Sequence, residues 1–204
     1  MHVLIDGEDR VGTVLLAHGA GAGMEHVSMQ NFAQMLVRCG LRVVRFEFPY
    51  MQQRRATGVK RPPDRMPVLE QCFLDLALTY QQDSSRLILA GKSMGGRVAS
   101  RIAPLVEPSA VLVFGFPFHP QGKSDKLRLE SLQNVAAAVH IYQGTRDKLG
   151  DFEEVSGYTL DSAVCVNWLE DGDHDLKPRV RSGFTYEAHL ASVERSINGW
   201  LQGG

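Results

Sequence analysis

Apolar positions along the chain alternate between two rhythms. Short continuous apolar runs, bounded by glycine, proline or charge, occur at Gly12–Ala17, Leu41–Phe48, Leu87–Ala90, Ala110–Phe116, Ala138–Tyr142 and Ala163–Leu169. Their length and β-branched content predict buried strands. Between them, apolar residues recur every three or four positions. Phe32, Met35, Leu36 and Cys39 share one face of a helix from about Ser28 to Cys39, which Gly40 caps. Leu69, Phe73, Leu76 and Tyr80 mark a helix from Met66 to about Gln82. Leu190, Val193, Ile197 and Trp200 mark a closing helix from Tyr186 to Leu201. Arg97–Ala103 also reads as helix, with Pro104 at its end or at a kink. Val3–Ile5 reads as a short edge strand, and short helices are expected at 126–133 and 151–156. Apolar strands alternating with helices predict an α/β fold: a mainly parallel sheet with helices on both faces. No repeat or low-complexity tract interrupts it, so residues 1–204 are expected to form one domain.

Residues 49–66 break the rhythm. Arg54, Arg55, Lys60, Arg61 and Arg65 stand against Asp64, a local charge of +4, and Pro62-Pro63 stiffens the end. The stretch reads as a long basic loop. It either steers anionic substrates or partners toward the site or is a solvated surface run, and distance decides between the two.

In a parallel sheet the loops at the carboxyl ends of the strands build the site. His18, Ser93, His119, Asp147 and His174 all lie in such loops. Around Ser93 the sequence is Leu87-Ile88-Leu89-Ala90-Gly91-Lys92-Ser93-Met94-Gly95-Gly96, a strand, a tight turn and the start of a helix. Gly-x-Ser-x-Gly in that context is a nucleophile elbow, which lifts a serine hydroxyl clear of the sheet beside helix N–H groups. The competing P-loop reading of Gly91-Lys92-Ser93 requires glycine where Arg86 stands. Serine needs a base, and the base an orienting acid. Asp147 follows Ser93 by 54 residues, and His174 follows Asp147 by 27, each in a loop after a strand. The order Ser, acid, His matches the hydrolase triad. A turn aspartate and a solvated histidine are the bland alternatives.

His18-Gly19-Ala20-Gly21 follows a strand where the second oxyanion donor belongs. The expected donors are the Met94 and Ala20 N–H groups, with Gly19 the nearest rival. His18 orders this loop, and with Gly19, Arg54, Arg55 and His119 it is a candidate for shaping the substrate site. His119 is also a rival base, although it precedes the acid and its proline-flanked loop suits shaping better. Asp171-x-Asp173-x-Asp175 suggests a calcium loop, but Leu176 and Ser182 stand where glycine and glutamate are required. Gly19-x-Gly21 lacks the third glycine of a dinucleotide fingerprint, because residue 24 is methionine. No cofactor and no metal are expected.

A hydrophobic share of 44%, a charged share of 22% and a net charge of -1 describe an ordinary globular chain. They give no reason to expect nucleic acid or a membrane surface as partner. Cys39, Cys72 and Cys165 are widely spaced and odd in number, consistent with buried free thiols in a reducing compartment. The N-terminus has no signal-peptide pattern, so a cytoplasmic location is expected. Oligomeric state is left open.

Several segments resemble the small predicted α/β-hydrolases related to testis-expressed protein 30. They are Phe46-Glu47-Phe48-Pro49-Tyr50-Met51, Arg61-Pro62-Pro63, Gly91-Lys92-Ser93-Met94-Gly95-Gly96-Arg97, Phe116-Pro117-Phe118-His119-Pro120, Gly144-Thr145-Arg146-Asp147 and Gly172-Asp173-His174-Asp175-Leu176. The resemblance runs from about His18 to Arg179 and implies an α/β-hydrolase fold with Ser93, Asp147 and His174 as triad. A distant relative of that group is a subunit of a histone-acetylation complex, so the fold also serves as a scaffold. The chain is therefore expected to be a serine hydrolase of esters or thioesters, acting on a small-molecule substrate. The alternative is a non-catalytic module binding an acidic partner. The segment between Gly115 and Asp147 is too short for a large cap domain.

Overall fold

The structure, a computed structural model, describes residues 1–133, 135 and 137–203. The apolar runs become one sheet, with strands β1 (Val3–Asp6), β2 (Thr13–Ala17), β3 (Arg42–Phe46), β4 (Leu87–Lys92), β5 (Ala110–Phe114), β6 (Ala138–Gly144) and β7 (Val164–Leu169). They lie in the order β1-β3-β2-β4-β5-β6-β7. β1 is antiparallel to β3, and the other neighbours are parallel. The helices are α1 (Val27–Arg38), α2 (Pro49–Thr57), α3 (Met66–Gln81), α4 (Met94–Val106), α5 (Phe152–Val155) and α6 (Tyr186–Gly203).

Alternation along the central strands sorts their side chains into two cores. Leu15, Ala17, Leu87, Leu89, Val111 and Val113 meet Phe73 and Leu76 of α3 and Val98 and Ile102 of α4. Val14, Leu16, Ile88, Ala90, Leu112 and Phe114 meet Phe32 and Leu36 of α1 and Val193 and Ile197 of α6. Phe32 stacks on Phe114 with centroids 4.3 Å apart. Burial on both faces explains why these strands read as continuous apolar runs.

Four expectations change. Residues 49–57 are not loop but helix α2: Pro49 opens it, Tyr50 and Met51 are buried, and Gly58 closes it at φ 73°. The remainder of the basic stretch, 58–65, has no regular structure. The helix expected at 126–133 contracts to a 3-10 turn at Glu130–Leu132, because the Arg128 N–H is drawn to the Phe118 carbonyl. Pro104 lies inside α4, which continues to Val106. Cys39 and Cys72 are buried, but Cys165 is exposed on the edge strand β7.

Between β5 and β6 the described residues contain only the Glu130–Leu132 turn, so no cap domain covers the sheet edge. Among the described residues, no helix is long and apolar enough to cross a membrane.

Candidate active site

β4 runs directly into α4 with Ser93 at the corner, at φ 52° and ψ -114°. A left-handed conformation in a non-glycine residue costs about 1–3 kcal/mol and persists only where its surroundings enforce it. The surroundings here are three glycines. A Cβ at Gly91 would overlap the Gly95 and Gly96 backbone, and one at Gly96 would overlap Val113. A Cβ at Gly95 would stand 2.6 Å from both the Ala17 and the His18 carbonyl oxygens. The corner is closed this tightly because strand and helix backbones touch.

The three residues predicted as a triad come together. His174 Nε2 lies 2.8 Å from Ser93 Oγ, and His174 Nδ1 lies 2.7 Å from Asp147 Oδ2. The network assigns the proton: Nδ1–H donates to the carboxylate, which leaves Nε2 to accept from the serine hydroxyl. Asp147 is fully buried. Its charge is met by the imidazole, by the Gln143 side-chain amide at 2.8 Å on Oδ2 and by the Leu149 N–H at 2.8 Å on Oδ1. Gln143 itself grips the Phe116 backbone, accepting from its N–H at 2.7 Å and donating to its carbonyl at 3.2 Å. Sequence reasoning passed over Gln143; the available signal was an amide directly after the Ala138–Tyr142 run and four residues before Asp147.

The glycine loop after β2 is held from behind. His18, fully buried, donates from Nδ1 to the Gly19 carbonyl at 2.6 Å and accepts at Nε2 from the Phe48 N–H at 3.1 Å. Burial pushes its pKa down, keeping the ring neutral as this pattern requires. The Tyr50 hydroxyl donates to the Ala20 carbonyl at 2.9 Å, and burial pushes that phenol up, so it stays protonated. In a trans peptide the C=O and N–H point in opposite directions. With the Gly19 carbonyl drawn inward, the Ala20 N–H faces the other way. The Met94 N–H is in the first turn of α4, where backbone donors have no helical partner.

A cleft of about 410 Å³ opens over Ser93, lined by Gly19, Ala20, Met29, Lys92 and His174 among others. A second, also of about 410 Å³, adjoins it through Gly21, Ala22 and His26 and reaches Arg54 and Arg55. Arg55 is not a free cation there. Its guanidinium forks onto Glu47 at 2.8 and 2.9 Å and reaches Glu25 at 3.0 Å. Burial raises the Glu47 pKa, but the Arg55 hydrogen bonds and charge outweigh it and hold the carboxylate ionised. Arg54 donates to the Gly21 carbonyl at 3.2 Å.

Two shaping candidates lie outside the clefts. His18 is sealed from the cleft and acts on loop backbone. His119 is also buried, donating from Nδ1 to the Pro120 carbonyl at 2.9 Å with Nε2 3.0 Å from Glu154. Neither lines the clefts around Ser93 and His174. The acidic run beside His174 is likewise divided. Asp171 pairs with Arg146 and Arg179, Asp173 accepts the Asp175 and Lys177 N–H groups, and Asp175 faces Lys92.

Comparison with solved structures places this architecture. An α/β serine hydrolase without a lid from Xanthomonas campestris matches with a TM-score of 0.71 at 21% identity, over 97% of this chain and 88% of that one. An α/β serine hydrolase homologue from Coxiella burnetii matches with a TM-score of 0.67 at 20% identity, over 96% and 89%. An esterase from Pyrococcus furiosus matches with a TM-score of 0.65 at 17% identity, over 93% and 80%. No functionally curated protein matches. At these identities the structural likeness speaks for the fold. Residues 10–202 match the model of the alpha/beta hydrolase domain, and the chain therefore belongs to that family.

Proposed function

We propose that this chain is a serine hydrolase of carboxylic esters or thioesters of small soluble acyl compounds, with Ser93, His174 and Asp147 as its catalytic residues. The observation that carries this reading is the continuous hydrogen-bond chain Ser93 Oγ–His174 Nε2 and His174 Nδ1–Asp147 Oδ2, at 2.8 and 2.7 Å, on a strained elbow. Ser93 attacks the acyl carbon as its proton passes to His174 Nε2. The imidazolium, steadied by Asp147, returns that proton to the leaving group. Water then repeats the sequence in reverse to free the acid. The Met94 and Ala20 N–H groups are the proposed donors to the oxyanion.

The small lining residues Gly19, Ala20, Gly21 and Ala22 leave the cleft over Ser93 open to an acyl group. Arg55 is neutralised by Glu47 and Glu25, so of the two basic side chains that line the clefts Arg54 is the one left to favour an anionic substrate. The narrower kinship with the group of testis-expressed protein 30 rests on the Phe46–Met51 and Phe116–Pro120 segments alone.

The test is labelling by a fluorophosphonate probe together with turnover of p-nitrophenyl acetate. Wild type is expected to do both, and Ser93→Ala neither. His174→Ala and Asp147→Asn should add no further loss to Ser93→Ala, because the three act as a unit. A folded wild type with an inert serine would instead mark a scaffold.

A further inference from the structure

Lys92 sits between the elbow glycine and the nucleophile, and its side chain is only 8% exposed. A buried ammonium is expensive, and a methionine of similar length would fill the same space without charge. Its partners all belong to the loop that carries the base. Nζ donates to the His174 carbonyl at 2.7 Å and lies 3.4 Å from Asp175 Oδ1. The Asp175 side chain is 61% exposed, so that pair is screened by water and the carbonyl is the firmer anchor.

Gly115, just after β5, makes room for this contact. A Cβ there would stand 2.8 Å from the His174 carbonyl oxygen, 3.3 Å from Lys92 Nζ and 3.4 Å from His174 Cε1. The ends of β4 and β5 and the loop after β7 thus converge on one ammonium. The charged groups facing it are Asp147 from the loop after β6 and Asp173 and Asp175 from the loop after β7.

We propose that Lys92 is a positioning residue of the triad, whose ammonium ties the strand of the nucleophile to the backbone of the base. This rests on the hydrolase reading above. The clamp fixes the His174 backbone, and so the 2.8 Å reach of Nε2 to Ser93. Burial holds the ammonium below the usual lysine range, and the carboxylates of Asp175, Asp147 and Asp173 work against that loss of charge.

The experiment compares wild type with Lys92→Met, which removes clamp and charge, and Lys92→Gln, which keeps a donor without the charge. For p-nitrophenyl acetate, kcat should fall by about 10- to 100-fold in Lys92→Met with KM little changed, as misplacement of a catalytic group does. Lys92→Gln, which keeps a donor to the His174 carbonyl, should recover part of kcat. Propylammonium should restore turnover to Lys92→Ala, whose shortened side chain opens onto the cleft. A folded Lys92→Met with wild-type kcat overturns the proposal, as does a Lys92→Ala enzyme indifferent to the amine. If wild type itself takes no fluorophosphonate label, the hydrolase reading fails instead. The His174 amide signal, compared by NMR between wild type and Lys92→Met, then still reads whether Lys92 fixes that backbone.

Discussion

Gln143 lies at the end of β6 and Asp147 four residues on in the following loop, and the Gln143 side-chain amide donates to the same carboxylate oxygen that holds His174, at 2.8 Å. Gln143 also closes a ring onto the Phe116 backbone through its own carbonyl oxygen. Replacing it with leucine leaves the Phe116 N–H buried without a partner and frees Asp147 to rotate. Gln143→Leu should lose about 2–4 kcal/mol in urea unfolding and about tenfold in kcat. Stability unchanged within error would mean that the amide is not a structural brace.

His18 acts at one remove from the chemistry, through the Gly19 carbonyl. His18→Phe keeps a ring against Phe48, 5.1 Å away between centroids in wild type, but releases that carbonyl. The Ala20 N–H then loses its fixed direction. An oxyanion donor is worth about 10²–10³ in kcat, so a partly misdirected one should cost about 10- to 100-fold. KM should change little, since the loss falls on the transition state. Equal losses in binding and turnover would assign His18 a general packing role.

Two glycines near Ser93 should respond differently. Gly95→Ala drives a methyl against the Ala17 and His18 carbonyls, whose oxygens each lie 2.6 Å from where the new carbon would stand and belong to rigid backbone. It should cost about 3 kcal/mol or more, or abolish folding. Gly21 has nothing within 4 Å of the same position, and Gly21→Ala should shift stability by no more than about 0.5 kcal/mol. Thermal melts of the pair decide the point.

Asp171, three residues before His174, gives the fold an acid-sensitive joint. The Arg179 hydrogen bond holds its carboxyl well below the usual aspartate range, and Arg146 adds to the effect. The folded state therefore binds the proton more weakly than the unfolded chain. The stability Asp171 contributes is complete above its unfolded value of about 3.9 and declines as pH falls from there through the lower folded value. Asp171→Asn should be less stable than wild type by a constant margin between about pH 5 and 8, narrowing below about pH 4. Urea midpoints at successive pH values provide the check, and a margin unchanged at pH 3 would sink it.

The corner at Ser93, the meeting of Ser93, Asp147 and His174 at one sheet edge and the parallel sheet were legible in the chain because each is written in local terms. A corner where two backbones touch admits only glycine, so Gly91, Gly95 and Gly96 announce it. Strands buried on both faces must be apolar throughout, and a base and acid placed after successive parallel strands must arrive at one edge. Partner choice has no such local signature. Arg55 resembles part of a free basic run until the fold sets Glu47 and Glu25 against it. Only two buried residues, Tyr50 and Met51, anchor α2, too few for a periodic signal to outweigh the arginines and the paired prolines downstream. His119 shares a proline-framed loop with no stated direction, and packing turned it to Glu154 rather than to the serine. Lys92 and Gln143 each bond to groups brought close through space, from other strands and loops. Hydrogen bonds and ion pairs form between whatever neighbours the closed sheet presents, and those neighbours exist only once the chain has folded.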